Sequence, residues 1–151
     1  MAPFPEPSGG CFDGCIHRYA LRVYYEDTDA GGVVYHANYL RWFERARSDM
    51  LRLIGIDQRG ALDAGEGAYA VADLAIRYLL PARLDDTVLL ESRVLEMGGA
   101  SGRMVQRAWR GDVLLCEAQV RIGFIGPDGR ARRQPAAWRQ AFASIVSAPE
   151  G

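Results

Sequence analysis

The residues that could do chemistry crowd into one stretch, Glu26-Asp27-Thr28-Asp29-Ala30-Gly31-Gly32-Val33-Val34-Tyr35-His36-Ala37-Asn38. A carboxylate such as Asp29, set beside the start of a helix, can activate water or attack an acyl carbonyl itself. The free N–H groups of a first helical turn can hold the negative charge that then builds on the carbonyl oxygen, and the helix dipole helps. Gly31 and Gly32 carry no side chain to keep a substrate off that backbone. His36 adds an imidazole able to orient water or substrate. Each group also has a plainer reading. Asp29 in an Asp-x-Asp-x-Gly turn can simply hold the loop through side-chain to backbone bonds, Asp27 reads as loop-stabilising, and His36 can cap or pack. Glu26, Asp27, Asp29 and His36 form a conceivable oxygen-rich cation set. A strand running into a helix does not obviously converge them, so no metal is expected.

The flanking elements follow from periodicity. Tyr19, Leu21, Val23 and Tyr25 alternate with their neighbours, as in a half-buried strand that ends at the acidic, glycine-rich turn. Tyr39, Phe43, Ala46, Met50 and Leu53/Ile54 then recur at helical spacing, with Asn38 as a candidate cap and Gly55 as a stop. Residues 57–67 read as a polar connection. Strands are expected over Ala68–Leu79, Thr87–Leu95, Arg103–Arg110 and Val113–Ile125, separated by Pro81, by the turn Gly98–Gly102, and by Arg110-Gly111-Asp112. Pro135 opens a short terminal helix with Trp138, Ala141/Phe142 and Ile145 on one stripe. One long helix followed by a run of hairpins indicates the α+β class, an antiparallel sheet packed on that helix. The strand order does not follow from this pattern.

Composition bounds the rest. The chain has 151 residues, 49% of them hydrophobic and 25% charged, which suits one soluble domain. A net charge of -1 gives no basic field for nucleic acid. All 18 basic residues are arginine, and many fall in the last third, where an anionic ligand or plain solvation would account for them. Cys11, Cys15 and Cys116 make no ligand set, and Cys11-x-x-x-Cys15 with His17 lacks the second pair a zinc site needs. The odd cysteine count, with no recognisable secretory leader, predicts a reducing, cytoplasmic location. No apolar run approaches the ~20 residues that span a bilayer. Residues 1–17, rich in proline and glycine, read as a flexible extension ahead of one domain over 18–147.

The block from Val23 to Tyr39 resembles the hotdog-fold acyl-CoA thioesterases of the 4-hydroxybenzoyl-CoA thioesterase type. It is most similar to the branch encoded with the bacterial Tol–Pal envelope system, and Glu44-Arg45-Ala46-Arg47 and Pro81-Ala82-Arg83-Leu84-Asp85-Asp86 match that branch too. The likeness spans about residues 19–146. It implies a hotdog fold, a curved antiparallel sheet wrapped around one long central helix. It implies a homodimer with a continuous sheet, often paired into a tetramer, with the active site at the subunit interface. It implies hydrolysis of acyl-CoA without metal or redox cofactor, and a place in lipid metabolism. By the same resemblance Asp29 is the catalytic acid, as general base or as nucleophile, and the backbone N–H at His36 faces the thioester oxygen. Tyr35 and Asn38 support the site. The loop Gly98-Gly99-Ala100-Ser101-Gly102-Arg103 meets the CoA phosphates, with Ser101 and Arg103 as candidates and Arg132 as a third; relatives often carry a basic residue inside this loop, where this chain has glycines. A non-catalytic acyl-chain or acyl-carrier-protein binding module is the alternative reading, and the intact Asp29 argues against it. A hotdog dehydratase fits less well, since those enzymes use a histidine and a carboxylate in a different motif.

Overall fold

In the computed structural model, which describes residues 1–147, the long helix α1 spans Asn38–Leu53. Its buried residues Tyr39, Trp42, Phe43, Ala46, Met50 and Leu51 share one face at three-and-four spacing. Gly55 stops it at φ 86°, a conformation that glycine adopts without a Cβ penalty.

Six strands, β1 (Cys11–Asp13), β2 (Ile16–Arg22), β3 (Ala68–Tyr78), β4 (Thr87–Met97), β5 (Ser101–Arg110) and β6 (Val113–Ile125), form one curved antiparallel sheet. Their order is β1-β2-β4-β5-β6-β3. Alternation along the strands sends Val88, Leu90 and Val94 of β4, Met104 and Ala108 of β5, and Cys116, Ala118, Val120, Ile122 and Phe124 of β6 into the core. α1 crosses β2 and β4, and α3 (Ala136–Ala143) closes one end of the core with the fully buried Phe142. This is the α+β hotdog architecture expected from the sequence. No helix among the described residues is long and apolar enough to cross a membrane.

The N-terminal part is more ordered than its composition suggests. Cys11–Asp13 and Ile16–Arg22 pair as a hairpin on the sheet edge, so the sheet starts well before Tyr19. His17 is fully buried, its Nε2 lies 2.7 Å from Asp49 Oδ2 on α1, and the Gly10 N–H donates to the same carboxylate oxygen at 3.0 Å. A Cβ on Gly10 would lie 2.4 Å from the Arg18 carbonyl oxygen, so the close approach demands glycine here. Cys11 and Cys15 are exposed while His17 points inward, which breaks up the Cys-Cys-His grouping. The 57–67 connection also holds a short helix, α2 (Gln58–Asp63), capped by the Asp57 side chain on the Gly60 N–H. Its single buried residue, Ala61, left no periodic signal to read.

One polar cluster crosses the core under α1. Gln106, fully buried, donates from Nε2 to the Phe43 carbonyl and to Ser92 Oγ, both at 2.9 Å, and accepts from Arg47 Nη1 at 2.8 Å. Gln106→Leu leaves Ser92 and Arg47 without that partner. Urea unfolding should therefore show a loss of about 1–3 kcal/mol, the cost of unsatisfied buried groups.

Candidate active site

The acidic loop is built as a small hairpin between β2 and α1. Thr28 bridges Val34, the Asp29 N–H donates to Val33 O at 2.8 Å, and the Gly32 N–H donates back to Asp29 O at 3.1 Å. Gly32, at φ 80°, completes this turn in the left-handed region. Before it, Tyr25–Asp27 form a 3-10 turn in which Asp27 Oδ2 accepts from the Tyr24 N–H at 2.8 Å, the loop-stabilising role read for Asp27.

The segment Pro81–Asp86 is the platform for this loop. Val34 N–H donates to Ala82 O at 2.8 Å and Val33 bridges Arg83. On the other side Val23 N–H donates to Asp86 O and Asp85 N–H to Val23 O. The platform is held by Arg110, whose Nη1 donates to Pro81 O at 3.0 Å and to Asp86 Oδ2 at 3.2 Å. Both ends of the loop are thus clamped to one stretch of chain.

Asp29 is exposed at the loop tip. Its Oδ1 accepts from the Gly31 N–H at 2.8 Å and from the Val33 N–H at 3.4 Å, while no hydrogen bond among the described residues reaches Oδ2. One carboxylate oxygen therefore holds the turn and the other faces solvent. Gly31 and Gly32 are exposed as well, with both N–H groups spent inside the turn.

Asn38 is the first residue of α1 rather than its cap. Its Nδ2 donates to Asp27 O at 2.7 Å, whereas a cap must accept from the helix N–H groups. The Tyr35 N–H donates to the same Asp27 carbonyl at 2.9 Å. Asn38 and Tyr35 together tie the acidic loop to the head of the helix. That head is open. Asn38 N–H reaches Tyr35 O and Leu40 N–H reaches Ala37 O, and the N–H groups of His36 and Ala37 find no acceptor among the described residues.

His36 is exposed, its ring 4.5 Å from that of Tyr35. It borders a groove walled by Val34, Tyr39, Tyr78, Leu79 and Pro81. Asp29 does not line this groove within a single chain. Tyr39 and Tyr78 have pKa values raised above the ordinary tyrosine value, first by burial, so neither phenol acts as a base near neutral pH. Cys116, behind Tyr78 in the β3–β6 register, is pushed up to about 12 by burial and the nearby Glu117 charge, which removes it as a thiolate nucleophile. Tyr78 was missed in sequence because strand β3 lies far along the chain from His36; the hint was an aromatic near the end of a strand just before Pro81.

The arginines expected at a nucleotide are mostly engaged. Arg103 Nε pairs with Glu96 Oε1 at 2.9 Å in solvent. Arg132 Nη1 donates to the carbonyls of Gly65 and Glu66, at 3.1 and 2.7 Å, and so fastens the C-terminal segment to the start of β3. Ser101 opens β5, and its carbonyl accepts from the Gly98 N–H at 2.7 Å. Gln134 braces the same loop, with Nε2 on Gly98 O and its N–H on Gly99 O, both at 2.8 Å. Arg133 lies along this loop, its guanidinium carbon 3.6 Å from where a Gly99 Cβ would sit.

Comparison with known proteins gives a consistent answer. Residues 31–117 match the sequence profile described as the thioesterase superfamily. The acyl-CoA thioesterase YbgC of Haemophilus influenzae is 45% identical over 107 residues, which cover 71% of this chain and 79% of that protein. The acyl-CoA thioester hydrolase YbgC of Escherichia coli O6:H1 is 43% identical over 113 residues, 74% of this chain and 84% of that one. A probable thioesterase of Bartonella henselae, solved by crystallography, superimposes with a TM-score of 0.75 at 35% identity, covering 80% of this chain and 99% of its own.

Proposed function

The chain belongs to the thioesterase superfamily, and from that premise we propose that it hydrolyses acyl-CoA to the free acid and CoA at the head of α1. The observation that carries the mechanism is the pair of amides without an acceptor among the described residues, His36 and Ala37, at the head of α1, where His36 also borders the groove. The thioester carbonyl oxygen sits against these amides, where the helix dipole favours the oxyanion. Asp29 uses its free Oδ2. It takes a proton from the attacking water, or adds to the carbonyl and forms an anhydride that water then opens. Either route passes through a tetrahedral oxyanion and expels the CoA thiolate. His36 contributes its amide, and its imidazole orients the water. Gly31 and Gly32 keep the loop tip bare, and Tyr35 and Asn38 hold the loop against the helix. No metal or redox group takes part in this proposal.

The nucleotide end lies along the Gly98–Ser101 loop. Arg133 lies against that loop, and Arg103 joins it by exchanging its solvent-exposed Glu96 pair for a phosphate. Arg132 acts structurally, since its guanidinium is committed to the carbonyls of Gly65 and Glu66.

The working form is a homodimer joined along β3, which can pair further into a tetramer. β3 closes one edge of the sheet, and Val71, Leu74 and Tyr78 on its helix-facing side remain 47%, 39% and 44% exposed because α1 covers β2 and β4 instead. A long apolar edge of this kind needs a partner. A second copy pairing antiparallel there supplies one by two-fold symmetry and covers the open side of the groove. The free cysteines fit a reducing compartment, in line with a cytoplasmic place in lipid metabolism.

Free-thiol release from a panel of short-chain, long-chain and aromatic acyl-CoAs, with an acyl-carrier-protein thioester beside them, tests the activity. Release from at least one acyl-CoA, with a clear chain preference, is expected. Binding without release across the panel would favour the non-catalytic acyl-binding alternative.

A further inference from the structure

The His36 carbonyl lies just ahead of Ala37, the N-cap of α1, and outside the hydrogen-bond ladder of the helix. In a helix that begins at Asn38 the first ladder bond falls on the Ala37 carbonyl, so the His36 carbonyl is left for a partner from elsewhere. Leu40 N–H donates to Ala37 O at 3.2 Å, and the His36 carbonyl accepts from the Tyr78 hydroxyl at 2.8 Å. The donor comes from the last residue of β3, across the sheet–helix interface. Its ring is seated edge-on against His36, centroids 6.1 Å apart, and against Tyr39 at 5.7 Å. The Tyr39 hydroxyl in turn accepts from the Ala82 N–H at 3.2 Å, which links this aromatic group to the platform under the Asp29 loop.

We propose that Tyr78 is a positioning residue for thioester hydrolysis, its hydroxyl holding the His36 carbonyl so that the adjoining amides stay aimed at the reacting oxygen. In a trans peptide the C=O and N–H point in opposite directions, so fixing the His36 carbonyl fixes the Ala37 N–H. It also limits the rotation that would turn the His36 N–H away. Burial and the neighbouring Cys116 raise the Tyr78 pKa, so the hydroxyl remains a donor throughout the assay range. Since β3 is also the strand proposed to meet a second copy, pairing there would brace the tyrosine from behind. This role rests on the site reading given under Proposed function, and the experiment separates the two.

Tyr78→Phe keeps the ring seat and removes only the donor. It is expected to lower kcat about tenfold, the effect of one ordering hydrogen bond, with KM within about twofold. The melting temperature and subunit mass should match wild type. A kcat within about twofold of wild type, or a loss confined to KM, would overturn the proposal. So would a loss that vanishes on cooling in step with recovered stability, because a merely structural role predicts that. Tyr78→Leu, assayed alongside, should lose stability as well, since it removes the aromatic seat; equal stability and equal kcat in both variants and wild type would also count against the idea. Asp29→Asn run in parallel tests the parent reading. If it is inactive while Tyr78→Phe is unchanged, only the positioning role fails; if it retains activity while Tyr78→Phe loses kcat, the acid assignment fails and the tyrosine role stands.

Discussion

Asp29→Asn is expected to lower kcat for acyl-CoA hydrolysis by about 10²–10⁴-fold, the usual contribution of a positioned acid or base. The substitution is informative because of what it preserves. The amide oxygen of asparagine can still accept from the Gly31 and Val33 N–H groups, as Oδ1 does now. The Thr28–Val34 bridge and the Gly32 turn involve only backbone. The loop should therefore stand, and circular dichroism and the melting temperature should be close to wild type. What disappears is the charge, and with it the capacity of the outer oxygen to take a proton or attack a carbonyl. If Asp29 served only to hold its turn, asparagine would do the same work and thiol release would continue near the wild-type rate. That result would remove the acid from the mechanism and leave the helix amides without a partner.

Leu74→Arg is expected to yield single chains of 16.7 kDa by light scattering and to reduce hydrolysis by roughly 100-fold or more. Leu74 pairs in register with the buried Val120 of β6, so it shares the helix-facing side of the sheet, yet it is 39% exposed. Beyond the bulge between Val71 and Asp73, the residues Leu74, Ile76 and Tyr78 continue along that side toward the groove. In the proposed two-fold dimer a guanidinium there would face the same residue of the second copy, adding like-charge repulsion to the loss of apolar contact. The fold of one chain should survive, because Leu74 adds little to the core of its own subunit. Activity is lost for a different reason: the groove beside His36 is left open on the side that β3 borders. A variant of doubled mass with wild-type activity would show that β3 is not the joining edge.

Much of this protein was already legible in its residues. The face of α1 from Tyr39 to Met50 and the alternation of β4, β5 and β6 are local repeats, and burial follows local repeats wherever a sheet and a helix must hide one side each. The chemical stretch from Asp29 to His36 is contiguous, so a turn, a helix start and a carboxylate could be placed side by side before any tertiary contact was known. The N-terminal hairpin was hidden because its order comes from His17 and Gly10 meeting Asp49 on a distant helix, whereas proline and glycine dominate its composition. The same long-range logic decided the details of the site. Asn38 became a tether and not a cap because Asp27 O lies within its reach, Arg132 was drawn away to Gly65 and Glu66, and a tyrosine from β3 took the carbonyl of His36. Periodicity reports which side of an element is buried, while strand order and register decide which side chains then meet; here the order β1-β2-β4-β5-β6-β3 sets β3 at the edge and brings Tyr78 to the head of the helix.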